Sequence, residues 1–435
     1  MKERIAVEQA STTDTNLAAF LTMLALLAAW IPACVVPREP YTTDEEEPVE
    51  QESAVDACPV TGGISHEGQT RFLHGVNFAW DNFSGDFGGI PEWGTKGISQ
   101  TPDAFETQLA DMHKNGARVV RWWLFPDLRG DGVVLDGKGT PVSLGGTASA
   151  DLEKALDLAE KTDVYLILCL FSFDGFHPGR DVEGLWVPSL APIVVDATKR
   201  QALMKNVVTP LAAIAQNSKH KARLLAWEVI NEPEWAMKGQ SPYGDPDYTP
   251  MAELDAVPHA VMETFVADTI AALRAEGSVK VTLGSAGMKW ARAWTLVDVD
   301  FYQVHWYDWL TPYWPTSKTP SEYGLGDKPV LVGEMPAEGV GGKSFAQLSA
   351  MWLDAGYAGA LAWDYPSMDA GEMDQMSSFA KARSCETSFA GTSGGGEVCT
   401  DVAPDGQYTC AQQAGWGKCN EAWMAGKCDQ TCGRC

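Results

Sequence analysis

A (β/α)8 barrel with a small disulfide-rich module behind it is the architecture this sequence predicts. Three observations carry the expectation. Eight short runs are apolar throughout, as strands covered on both faces must be. Stretches of helical periodicity separate most of them. Together they span about 330 residues, room for eight strand–helix units. The runs are Arg71–Trp80, Arg118–Phe125, Val164–Phe171, Leu224–Asn231, Lys280–Gly284, Phe301–Tyr307, Pro329–Glu334 and Gly359–Trp363. Helices are expected at Ala104–Asn115, where Phe105, Leu109 and Met112 share a face, and at Ala150–Lys161, Thr198–Gln216, Pro258–Glu276, Ser344–Ala355 and Asp374–Arg383. The connection after the sixth run shows no clear helix. A doubly wound open sheet is the rival, but its glycine-rich phosphate turn should follow the first strand, and Asn77-Phe-Ala-Trp80 stands there instead.

The flanks divide the chain further. Residues 1–34 read as an export signal, because Leu17–Ile31 is fifteen residues without a charge, short for a bilayer span and right for a signal core. Ile31-Pro-Ala-Cys34 at its end resembles a bacterial lipobox, which makes Cys34 the candidate lipidation site and attachment to a membrane the alternative to plain cleavage. Residues 35–57 hold eight acidic residues, one arginine and three prolines, too little apolar surface to fold, and read as a tether. The barrel is assigned to 58–385, a Gly/Ser linker to 386–398 and the module to 399–435. The formal charge of −26 argues against nucleic acid as a partner, since such a chain repels phosphate. The 17 tryptophans point to surfaces that stack on flat ligands such as sugar rings, or to a tryptophan-rich core.

Six of the ten cysteines, Cys399, Cys410, Cys419, Cys428, Cys432 and Cys435, crowd into the last 37 residues. A segment that short builds almost no core, so three disulfides are expected, with fifteen pairings open. The absence of histidine there disfavours zinc. The ending Cys428-Asp-Gln-Thr-Cys432-Gly-Arg-Cys435 resembles the ShK-toxin-like fold and the short cysteine-rich modules attached to secreted polysaccharide hydrolases. Its middle spacings depart from the toxin pattern, so channel blocking is not carried over. Trp416 and Trp423 are either a sugar platform or the plug of a tiny core. Cys58 and Cys385 bracket the barrel and are expected to pair; Cys169, inside an apolar run, reads as an inert buried thiol.

In a barrel the chemistry sits where strands end. The fourth run ends Ala226-Trp-Glu-Val-Ile-Asn231-Glu232-Pro233, the sixth His305-Trp-Tyr307-Asp308, the seventh Val332-Gly-Glu334-Met-Pro336 and the eighth Ala362-Trp363-Asp364-Tyr365. Two glutamates thus face each other across one barrel mouth. Glycosidic cleavage needs such a pair, one protonated to serve the leaving oxygen and one ionised to attack. The bland reading of each residue alone is a solvated loop charge, a structural ion pair or a core tryptophan; their convergence on one mouth decides against it.

Trp227–Pro233, Gly333-Glu334, His305-x-Tyr307 and Gly116-Ala-Arg118-Val-Val-Arg121-Trp122 resemble glycoside hydrolase family 5, the retaining barrel enzymes that include cellulases and β-mannanases, over about residues 68–383. The resemblance implies Glu232 as acid/base and Glu334 as nucleophile. It implies Asn231 on the sugar 2-hydroxyl, His305 and Tyr307 tuning the carboxylates, Arg121 keeping Glu334 ionised, and Trp363 flooring the subsite. Trp80, Trp122, Trp123, Trp235, Trp306 and Trp309 lie close to run ends and are candidate sugar platforms, Trp80 and Trp235 foremost, about half of the six being expected to pack instead. The third run ends Leu170-Phe-Ser-Phe-Asp-Gly-Phe-His177 without the residue many members place there, and His177 is a candidate by proximity alone.

No Gly-x-Ser-x-Gly elbow, His-Glu-x-x-His motif or phosphate loop is present, so no metal or other cofactor is expected. The expectation is an exported, monomeric endo-β-1,4-glycanase acting on β-mannan or β-glucan. A non-catalytic carbohydrate-binding protein on a barrel scaffold and a transglycosylase are the competing readings.

Overall fold

The computed structural model describes residues 58, 60–313, 318–389, 403–404, 408–424, 427–428 and 431–432. The export signal, Cys34, the tether, Cys399 and Cys435 lie outside the described residues.

Eight parallel strands close into a barrel in chain order: β1 Leu73–Asn77, β2 Val119–Trp123, β3 Tyr165–Ser172, β4 Leu224–Asn231, β5 Lys280–Ser285, β6 Tyr302–His305, β7 Val330–Pro336 and β8 Gly359–Trp363. Every predicted run supplies one strand. Closure is made by β8 against β1, with Gly359 opposite Leu73 and Ala362 opposite Val76. The helices are α1 Pro102–Lys114, α2 Ala148–Thr162, α3 Ala191–Val195, α4 Ala197–Leu203, α5 Thr209–Asn217, α6 His259–Arg274, α7 Phe345–Asp354 and α8 Ala370–Ala382. Local chemistry starts several of them. Asp196 accepts from the Thr198 and Lys199 N–H groups at the start of α4, and Ser344 with Gln347 and Asp369 with Glu372 form capping boxes on α7 and α8.

The helix expected over Thr198–Gln216 is not uniform. Between α4 and α5 the chain makes one π turn, Met204–Val208, directly before Thr209-Pro210. Proline has no N–H to give to the carbonyl four residues back, so the ladder slips there. The connections after β5 and β6 carry only 3-10 turns among the described residues: Met288–Trp290, then Asp308–Leu310 and Pro320–Tyr323.

Strand alternation sorts the side chains. Val120, Trp122 and Leu124 of the second run, and Tyr302, Val304 and Trp306 of the sixth, join the core between sheet and helices. Leu73, Val119, Ile167, Ala226, Leu331 and Leu361 form a separate cluster near the strand starts. Above that cluster the barrel interior turns polar, with Arg121, Glu228 and Gln303 all buried. Two glycines make the room. A Cβ on Gly284 would lie 2.4 Å from Glu228 Oε1, and one on Gly333 2.5 Å from the Gln303 side chain.

Cys58 and Cys385 are disulfide-bonded, 327 residues apart in sequence. Residues 386–389, assigned from sequence to the linker, instead pack on the barrel. Ser384–Thr387 is helical, Phe72 N donates to Glu386 O at 2.8 Å, and Phe389 lies 4.7 Å from the Tyr165 ring. Apolar Phe389 behind the Gly/Ser composition explains the difference. A bridge closing so long a loop removes much chain entropy from the unfolded state, so Cys385→Ser is expected to cost about 2–4 kcal/mol. Thermal unfolding measures this, and an unchanged midpoint would remove the bridge from the stability argument.

Candidate active site

Arg121 on β2 organises the polar interior. Its five N–H groups are all engaged: Nε and Nη2 with Glu228 at 2.6 and 2.5 Å, Nη1 with Asn77 at 2.9 Å and Glu334 at 2.7 Å, and Nη2 also with Asn231 at 2.8 Å. A buried guanidinium saturated in this way has a fixed position and a permanent charge. Burial alone would push the Glu228 carboxyl up, but Arg121 holds it below the ordinary range. Gln303 donates to Glu228 Oε2 at 2.8 Å and the Cys169 thiol to Oε1 at 3.3 Å. Cys169 is free and buried, with its pKa pushed up by burial, in keeping with an unreactive thiol.

An irregularity in the β4–β5 pairing between Glu228 and Asn231 resets the alternation, so both residues face Arg121. Similar irregularities on β7 precede the turn of Glu334 into the mouth. Glu232, just past β4, holds a left-handed backbone at φ 46° and ψ 50°, uncommon for a side chain with a Cβ. Its N–H donates to Gly284 O at 2.6 Å, tying the residue to the end of β5.

The two glutamates meet at His305. Its Nδ1 lies 2.7 Å from Glu232 Oε1 and 3.5 Å from Glu334 Oε1, and one oxygen of each carboxylate and the His305 nitrogen all fall within 4.8 Å of one another. Trp235 Nε1 donates to Glu232 Oε2 at 2.8 Å; Tyr307 OH donates to Glu334 Oε2 at 2.8 Å. Glu232, His305 and Glu334 are also the group among the described residues whose donors could hold a metal ion.

Burial pushes the Glu232 carboxyl up to about 7, against the pull of the Trp235 N–H and Arg121, with the Asp174 charge adding to the rise. Glu334 is also raised by burial, while His305 and Arg121 pull it down and the Glu232 charge pushes it up. The expected action of Arg121 on Glu334 is therefore present but works against burial, and the guanidinium is shared with Glu228. A proton shared by the pair sits better on Glu232, because Glu334 accepts from a charged guanidinium and a phenol. Burial lowers His305 to about 4, which leaves a neutral imidazole at neutral pH. Burial and the Glu334 charge raise Tyr307 far beyond the ordinary phenol range, so it remains a donor.

Both glutamates line a cavity of about 430 Å³ together with Asn231, Tyr307 and Asp174. Its aromatic lining falls into two groups. Trp80 meets Phe83, Trp123 and Trp363 at ring distances of 4.9, 5.2 and 6.1 Å, and Trp235 meets Trp309 at 5.6 Å. Trp122 and Trp306 do not reach the cavity. They are the outward members of their alternating runs, Trp122 donating to Asp86 and Trp306 packing on Trp352 at 5.3 Å. From the loop after β3, Phe173 and Asp174 line the cavity and His177 does not. Sequence reasoning passed over Asp174, Glu228, Asn77 and Gln303. A charged residue inside a wholly apolar parallel strand was the available signal for Glu228.

Fold and site together define a glycoside hydrolase, an enzyme acting on O-glycosyl bonds, on a (β/α)8 barrel resembling family 5. Relatives make the class more particular. Mannan endo-1,4-beta-mannosidase of Mytilus edulis is 25% identical over 332 residues, covering 69% of this chain and 85% of that protein. The Cryptopygus antarcticus enzyme of the same name is 26% identical over 343 residues, with 69% and 82% covered. Among solved structures, endo-1,4-beta-mannanase from Eisenia fetida matches with TM-score 0.61 at 25% identity, covering 75% of this chain and 95% of that one. The blue mussel β-mannanase shares the fold with TM-score 0.62 at 24% identity, covering 77% and 98%. No protein-family profile matches the chain. Its disulfides are those of a protein matured in an oxidising, extracellular-type compartment.

Proposed function

We propose that this chain is a retaining endo-β-1,4-mannanase working by double displacement. One observation carries the mechanism: the Glu232 and Glu334 carboxylates approach within 4.8 Å in an aromatic-lined cavity. Retaining enzymes hold their two carboxyls about 5–5.5 Å apart, whereas inverting enzymes need about 6.5–9.5 Å to seat a water between carboxyl and sugar. In this reading Glu334 attacks the anomeric carbon while Glu232 gives its proton to the leaving oxygen. The resulting glycosyl ester is then opened by water, from which Glu232 takes a proton. Asn231 has its carbonyl oxygen fixed by Arg121, so its amide Nδ2 is left to donate to the sugar 2-hydroxyl. The mannan substrate rests on the names of the two relatives, most of whose length this chain matches.

The test is release of reducing ends from mannan, cellulose and mixed-linkage glucan, side by side, with Glu334→Gln as control. Release from mannan that the control lacks supports the reading; equal release by the control removes it. Export through the Leu17–Ile31 run, with lipid attachment at Cys34, belongs to the same proposal and is checked by the mass of the mature amino terminus.

Acid catalysis by Glu232 requires its protonated form, so kcat/KM is expected to fall as pH rises through about 7. The Asp174 charge helps to hold that proton. Asp174 accepts from Ser172 Oγ at 2.6 Å, which in turn lies 3.5 Å from Asn231 Nδ2. Asp174→Asn removes the charge, lowers the Glu232 pKa and should move the alkaline limb to lower pH, read from kcat/KM profiles of the two proteins. An unmoved limb would leave Asp174 with a packing role alone.

A further inference from the structure

We propose that the carboxyl-terminal module is a second polysaccharide-binding site, distinct from the barrel cavity, in which Trp416 and Trp423 stack on the sugar rings of an uncharged β-linked glycan. This rests on the glycanase reading for the choice of polymer. Trp416 and Trp423 are 54% and 51% exposed, and Tyr408 is 39% exposed. In so small a fold the largest apolar side chains would be the first to fill the interior. Among the described residues the interior is Met424 with Cys410 and Cys428, packed with Ala403 and Cys432, and cross-linked by Cys410–Cys428 and Cys419–Cys432. A methionine and disulfide sulfurs fill that interior, and both tryptophans are left on the outside.

Both tryptophans sit on constrained backbone. Trp416 follows the helix Cys410–Gly415, donates its N–H to Gln412 O at 3.1 Å, and precedes Gly417, whose φ of 69° turns the chain back. Tyr408 packs against the Trp416 ring edge-on at 5.1 Å and 76°. Trp423 lies in the 3-10 turn Ala422–Met424, where the neighbouring Met424 is the side chain that turns inward. Aromatic side chains held in place lose little freedom on binding, which is what makes them effective anchors.

Charge argues for the occupant. Over 399–435 the chain carries Lys418, Lys427 and Arg434 against Asp401, Asp405, Glu421 and Asp429, a net −1, while the whole protein carries −26. The module is the near-neutral part of an acidic chain. It offers no excess of either sign to a charged partner, and its apolar ring faces suit the C–H faces of a neutral pyranose. Joined to a barrel that cuts such a polymer, a second site raises the local concentration of chain at the cavity.

The test uses full-length Glu334→Gln protein, which leaves the polymer uncut, and measures its depletion from solution by insoluble β-mannan. In that background Trp416→Ala/Trp423→Ala should weaken binding about ten-fold or more, while in the parent protein the same pair leaves kcat/KM on mannohexaose unchanged. Free-thiol titration of the variant shows whether its disulfides have formed, and Trp416→Phe, which keeps an aromatic ring, should retain most of the binding. Binding unchanged in the disulfide-intact double variant overturns the proposal. Absence of hydrolysis would instead strike the glycanase reading, because the partition measurement needs no turnover.

Discussion

Glu334→Gln is expected to lower kcat on soluble mannan by about 10⁴-fold or more, with near-native thermal stability. On the proposed double displacement the magnitude follows from losing the atom that forms the covalent intermediate, since removing one member of a concerted catalytic unit costs nearly as much as removing all of it. Stability is expected to survive because the amide keeps the geometry. Its oxygen can still accept from Arg121, the amide NH2 then takes the place of the oxygen that accepted from Tyr307, whose hydroxyl can turn to accept from it, and Arg121 retains its paired carboxylate in Glu228. The result is read from steady-state kinetics and a thermal melt together. Substantial residual turnover in a folded variant would place the nucleophile elsewhere.

Glu232→Ala is expected to have the second-largest effect, with a signature that depends on the substrate. With poor leaving groups the rate falls by roughly 10²–10⁴-fold, the usual worth of a positioned acid. Aryl mannosides whose leaving groups need no proton should lose far less in the first step and stall at the glycosyl ester, because no base remains to activate water. Azide, which needs no such base, should then restore turnover and yield a β-mannosyl azide. An α-azide, or no rescue, would count against Glu232 as acid/base. Truncation also frees His305 Nδ1 and Trp235 Nε1, so a thermal melt matching the parent is part of the test.

The barrel was legible because parallel strands buried on both faces must be apolar throughout, and no other element writes eight such runs between helices. The mouth was legible because Asn231, Glu232, His305, Tyr307, Glu334 and Trp363 all stand at run ends. What lay beneath was harder to read. Glu228 is charged in the middle of a buried strand, and its meaning becomes plain only when Arg121, 107 residues earlier in sequence, is seen to bind it at two points. Asn231 and Glu228 share the interior through a pairing irregularity that strict alternation does not foresee. Strict alternation does, however, separate Arg121 and Trp123 from Trp122, and His305 and Tyr307 from Trp306. The tryptophan count alone could not do so. Asp174 is not legible because loop composition does not set which side chain turns inward: the loop after β3 places Phe173 and Asp174 on the cavity and not His177. In the module, the composition left platform and plug equally open; only the position of Met424 shows which side chain fills the interior.

The most direct measurement is proton NMR of the anomeric region during the first moments of mannohexaose cleavage, before mutarotation. Two carboxylates within 4.8 Å working by double displacement should give internal cleavage with the β-anomer of the new reducing end appearing first. First appearance of the α-anomer would mean a single displacement by water, and would contradict the assignment of Glu334 as a nucleophile.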